Sequence, residues 1–133
     1  MKPGGYLFAA TITRVASLGD ALIRDLLGDV AFLSIVEMDI ATGQHRNPTD
    51  DISYFTDTFF HRGSEIRDEV EVGGLEVVTQ LPIEGLGILA KDFDSLWSDP
   101  QKRTVLLDLL ARTEGMEEVS GASFHHLTVG RKR

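Results

Sequence analysis

The densest run of hydrogen-bonding side chains in this sequence is Gln44-His45-Arg46-Asn47-Pro48. An imidazole gains or loses a proton near neutrality, a guanidinium pairs with a carboxylate through two parallel hydrogen bonds, and a carboxamide both donates and accepts. Such residues together could orient a polar ligand and move one of its protons. Tyr54, Phe55, Phe59 and Phe60 follow at short range, and His61 comes directly after them. Two readings stay open for each part. The polar run is a solvated loop with Asn47-Pro48 in a turn, or a lid over a binding site. The aromatic residues are a packing anchor, or a wall that faces a ligand.

Other spacings argue against particular chemistries. Gly85-Leu86-Gly87-Ile88-Leu89-Ala90 fits the G-x-G-x-x-A dinucleotide pattern. That pattern needs a second parallel strand within about 30 residues, ending in an acid for the ribose. Here the next strand is expected only near Phe124 and ends in Arg131-Lys132-Arg133, so no nucleotide loop is expected. His125 and His126 are neighbours on that strand and project to opposite faces, so both cannot reach one ion and one of them should be packed. Neither His45 nor His61 has a second ligand at helical spacing, and no metal site is expected. Gly63-Ser64 and Gly121-Ala122-Ser123 lack the glycine pattern of a nucleophile elbow.

A sequence of 133 residues with 42% hydrophobic content can bury a core. A net charge of −8 and a single terminal basic run argue against a nucleic-acid surface. With no cysteine there is no disulfide framework, thiolate nucleophile or thiolate-held metal, and a cytoplasmic location is the default expectation. No apolar run approaches the roughly 20 residues needed to span a bilayer, so no membrane partner is expected.

The elements that must position these residues read as alternating strands and helices. Pro3 pre-sets φ for the second position of a turn, Gly4 and Gly5 supply positive φ, and residues 6–12 form a strand. The turn reads as reversing away from something upstream, so the chain is expected to start part-way through a fold. Val15, Leu18, Ala21, Leu22 and Leu26 predict a helix ending near Gly28. Val30, Leu33, Val36 and Ile40 predict another from Asp29 to about Ala41, stopped by Gly43. Residues 42–57 read as a loop. A surface helix is expected over 62–72 with Ile66 and Val70 on one face, then Gly73-Gly74 and a strand over 75–81 stopped by Pro82. A helical piece over 88–97 precedes a helix opened by Ser98-Asp99-Pro100, with Val105, Leu106, Leu109 and Leu110 as its apolar side, ending near Gly115. A closing strand is expected over 124–130, Leu127 and Val129 alternating against His126 and Thr128.

Taken in order, several of these segments resemble the C-terminal half of class I S-adenosylmethionine (SAM) dependent methyltransferases of the small-molecule type. Lys2-Pro3-Gly4-Gly5-Tyr6-Leu7-Phe8 resembles that family's turn and fifth strand. Gly43-Gln44-His45-Arg46-Asn47-Pro48 and Tyr54-Phe55-Thr56 resemble its inserted lid. Phe60-His61-Arg62 with Glu65-Ile66 resembles the start of the helix before Gly74-Leu75-Glu76-Val77-Val78, its sixth strand. Gly121-Ala122-Ser123 and His126-Leu127-Thr128-Val129-Gly130-Arg131-Lys132 resemble its seventh.

The resemblance implies an α/β fold over residues 1–133 as one domain, a partial Rossmann-like fold. Its three-stranded mixed sheet would hold family strands five, seven and six, seven lying antiparallel between the others, with helices and a helical lid insertion at about 15–60. It implies a small-molecule methyl acceptor, with His61 and His45 as base or positioning residues, Arg46 pairing an acceptor carboxylate, and Asn47, Tyr54, Phe55 and Phe60 completing the acceptor site. The family's glycine-rich loop and ribose-binding acid have no counterpart here. SAM is therefore expected in the complete fold and not on this chain alone, which reads as truncated. The free flank of strand 6–12, at Leu7, Ala9 and Thr11, is expected to pair with a second copy or with an N-terminal half. The alternative is a stand-alone, non-catalytic domain that binds a protein or an apolar small molecule through that edge or the aromatic lid.

Overall fold

The computed structural model describes residues 1–133, and the chain is α/β. Lys2-Pro3-Gly4-Gly5 closes a turn through Gly5 N–H to the Lys2 carbonyl (3.0 Å), with Gly4 at φ 78°, the value that the third position of a type II turn requires. It delivers β1 (Tyr6–Ile12) into a three-stranded sheet with β4 (Leu75–Pro82) and β5 (His125–Lys132), in the order β1-β5-β4. Both ladders are antiparallel, Phe8 facing Val129 and Val129 facing Thr79, so β1 and β4 run the same way on either side of β5. The expected strand order holds. The expected middle strand, antiparallel to both neighbours, is also found, and with no parallel ladder the three strands make a wholly antiparallel sheet where a mixed one was expected.

Helix α1 (Ala16–Ile23) ends sooner than its leucine spacing predicts, where Asp25 takes φ 56°. Helix α2 (Val30–Thr42) is bounded as expected. The Asp29 carboxylate accepts the Phe32 N–H (3.0 Å) at its start, and Gly43 at φ 77° closes it through its N–H to the Asp39 carbonyl (2.9 Å). A Cβ at Gly43 would lie 2.3 Å from the Phe60 carbonyl oxygen, so this position excludes every side chain. The face that α2 buries is Phe32, Ile35, Val36 and Asp39, while Val30 and Ile40 of the expected stripe are exposed. Phe32, Ile35 and Val36 form one apolar core with Ala21 of α1.

The segment read as a loop contains a short hairpin-like pairing, β2 (Gln44–His45) with β3 (Thr58–Phe59), and a 3-10 turn at Ile52–Tyr54. Helix α3 (Gly63–Val72) lays Ile66 and Val70 against one face of the sheet, over Gly130 and the fully buried Thr128. After β4 comes a 3-10 turn (Gly85–Leu89) in place of part of the expected helix. Then follow α4 (Phe93–Ser98), α5 (Pro100–Thr113) and α6 (Glu117–Ala122), the last of which the pattern did not anticipate. Asp99 caps α5 by accepting from Gln101 and Lys102 N–H (2.9 and 3.1 Å). The second sheet face is open, with Tyr6, Phe8 and Val78 at 52, 66 and 53% exposure. No helix is long and apolar enough to cross a membrane.

Candidate functional site

At the carboxyl end of β1 and the start of β5, where α1 and the 44–60 segment lean over the sheet, lies a cavity of about 500 Å³. Ile12, the last residue of β1, and Phe124 and His125, at the start of β5, form its floor. Phe32, Phe55 and Phe60 form much of its apolar wall. Gly19 of α1 sits against the Phe124 ring, where an added Cβ would come within 1.8 Å of the ring edge. The absent side chain lets the helix approach this wall.

A polar chain runs beneath the wall. Asp39 has no exposed surface, and its Oδ2 accepts the Ser17 hydroxyl (2.6 Å) and bonds His45 Nδ1 (2.9 Å). His45 Nε2 donates to the Tyr54 carbonyl (2.8 Å). With Nε2 a donor, one further proton lies between Nδ1 and the carboxylate, on the ring or on Asp39. The ring stacks on Phe60 at 4.6 Å between centroids and meets Phe55 edge-on at 6.1 Å. His45 therefore lines the cavity with both nitrogens already engaged, which makes it a residue that positions the wall.

Tyr54 packs on Phe32 at 5.0 Å, and its hydroxyl donates to Asp29, the carboxylate that caps α2. That bond, followed by the Phe32 N–H, holds the Asp29 carboxyl below the usual carboxylate range, and the same bond raises the Tyr54 phenol above its usual value. Arg24 donates to Asp20 (2.8 Å) and to the Ser53 carbonyl and hydroxyl (3.0 and 3.1 Å), stitching the end of α1 to the cavity rim.

Of the residues singled out in the sequence, His45, Tyr54, Phe55 and Phe60 meet at this cavity. Arg46 and Asn47 do not line it. Arg46 donates to the His45 and Thr58 carbonyls (3.2 and 3.4 Å). Asn47 organises its own loop, donating to the Asp51 and Phe55 carbonyls (2.8 and 2.9 Å) while its side-chain oxygen accepts from Thr49. His61 also lies outside the cavity. Its N–H bonds the Ile12 carbonyl (2.8 Å), its ring meets Phe59 edge-on, and its Nε2 is 3.5 Å from Glu69.

Two parts of the site escaped the sequence reading. Asp39 and Ser17 carried a signal, since Asp39 falls at helical spacing on the face of Phe32, Ile35 and Val36, and a carboxylate there demands partners. Glu84 carried less. It bonds His125 Nδ1 through one oxygen, while the other accepts the His125 N–H and the Ser123 hydroxyl (3.1 Å each). The adjacent His126 is 5% exposed, packed with its Nε2 at 2.7 Å from the Ser120 carbonyl, as expected for one member of that pair. No three metal-ligating side chains converge anywhere in the chain. No family model matches this chain, and no curated protein matches it.

Proposed function

We propose that this chain is the acceptor-binding part of a SAM-dependent small-molecule methyltransferase and does not hold SAM by itself. The observation that carries the reading is the position of the cavity. The cavity sits at the carboxyl end of β1 and the start of β5, walled by Tyr54, Phe55 and Phe60 of the segment that the resemblance reads as an acceptor lid. Its apolar wall suits a small organic acceptor, and its polar groups suit orientation. Positioning the acceptor is much of what methyl transfer asks of a protein, and the aromatic wall of Phe32, Phe55, Phe60 and Phe124 suits that task.

The residues do not fit SAM. The one glycine-rich segment that follows a strand, Gly85-Leu86-Gly87, is a 3-10 turn, and its glycines pack against Leu110 and Val119. The acidic side chain on the cavity wall, Asp20, is tied to Arg24. A cofactor pocket would have to come from elsewhere, and β1 offers a place for it to dock. Lys132 N–H donates to the Gly5 carbonyl and Thr13 N–H to the Phe124 carbonyl, and the ladder alternates between these ends. Leu7, Ala9 and Thr11 therefore bond β5, whereas the backbone groups of Tyr6, Phe8 and Ala10 face outward. The outward set differs from the one expected, because register decides which residues face the neighbour.

A second reading, a non-catalytic domain that assembles through this edge, is favoured by the same unpaired groups and by the exposed Tyr6 and Phe8. Calorimetric titration of the folded chain with SAM and with S-adenosylhomocysteine tests the first. No binding is expected from this chain alone. Saturable one-to-one binding would overturn it.

A further inference from the structure

We propose that His125, oriented by Glu84, accepts a proton from the hydroxyl of an aromatic ligand bound in the cavity. Four histidines could hold such a role, and the geometry separates them. His45 has both nitrogens bonded, His126 is packed with its Nε2 on a carbonyl, and His61 is not on the cavity wall. His125 is on that wall, and no protein group bonds its Nε2. Glu84 is fixed by the His125 N–H and the Ser123 hydroxyl, and its remaining oxygen receives Nδ1–H. A carboxylate at Nδ1 keeps the neutral ring's proton there, leaving the Nε2 lone pair for a ligand.

The aromatic and aliphatic lining selects a flat, largely apolar ligand, and a hydroxyl is the group that an imidazole lone pair recognises. In the step itself the ligand O–H bond breaks and an N–H bond forms at Nε2. The electron pair stays on oxygen, and the imidazolium is held against the Glu84 carboxylate. No further reactant is needed. The inference deepens the acceptor-site reading and rests on it, because the deprotonated oxygen is what a methyl donor would meet.

The test uses 4-nitrophenol, whose ionised form alone is yellow, titrated into the full chain at fixed pH. The bound probe is expected to show an ionised-to-neutral ratio about tenfold above that of free probe, equivalent to about one pKa unit. His125→Gln, which keeps the ring's approximate size, is expected to bind the probe within about threefold and to lose that tenfold rise. Glu84→Gln, which retains an oxygen for Nδ1–H and removes the charge, is expected to lose most of it, and stands in if the first variant does not fold. An unchanged rise in either folded variant overturns the proposal, and so does wild-type binding with no rise, or no binding. SAM binding in the calorimetric titration would instead sink the half-site reading and leave this result untouched.

Discussion

Asp39 is the one carboxylate with no route to water, and the only neighbours that reach its Oδ2 are Ser17 and His45. Removing one partner of a buried charged or proton-sharing pair strands the other, so Asp39→Ala is expected to destabilise the chain by about 3 kcal/mol or more. A urea unfolding midpoint shifted by less than a third of that, at unchanged slope, would show the chain to be dispensable. Tyr54 and Asp29 govern the pH dependence of the same region. Asp29 is held low by the Tyr54 hydroxyl, so the stability it contributes is complete above its ordinary value of 3.8 and is lost as the pH falls through its lower folded value. Tyr54 is raised, so its contribution is complete below 10.0 and is lost as the pH rises through its higher folded value. Tyr54→Phe should flatten both limbs of the curve of urea midpoint against pH. Asp51 and Asp99, also held low by local hydrogen bonds, keep part of the acid limb in place.

Gly43 joins two elements that the site needs at a fixed angle, α2 bearing Asp39 and β2 bearing His45. With φ at 77° and the Phe60 carbonyl 2.3 Å from where a Cβ would be, Gly43→Ala combines backbone strain with a steric clash. The expected cost is about 2 kcal/mol or more, read as a lowered urea midpoint, with loss of 4-nitrophenol binding as the His45 wall shifts. This stop was legible because a helix end is decided by a few consecutive residues, and the same holds for the Pro3-Gly4 turn and for the cap at Asp99. The α1 boundary was not. Its leucines continue the period past Ile23, yet Leu22 and Ile23 are 61 and 65% exposed, and Leu26 reaches the core only after the backbone leaves the helix at Asp25, φ 56°. Periodicity marks what could be buried, and tertiary neighbours decide what is.

Only 20 of the 133 residues are buried, so a large share of the apolar surface, including Tyr6, Phe8 and Val78 on the open sheet face, is left to face something else. Together with the outward backbone groups of β1, this predicts that the chain assembles in solution. Light scattering should give a mass above 14.6 kDa, and Phe8→Lys should return it towards that value. A monodisperse species at 14.6 kDa for the unsubstituted chain would count against assembly through β1. The sequence by itself determined the α/β alternation, most element positions and the helix stops at Gly43 and Gly73, because each follows from residues adjacent in the chain or one helical turn apart. Only the tertiary structure decided that Tyr6, Phe8 and Ala10 carry the free edge, and which of the histidines lining the cavity keeps its Nε2 unbonded. Those outcomes depend on strand register and on partners far along the chain, Ser17 with Asp39 and Glu84 with His125, which meet only when the backbone closes long loops.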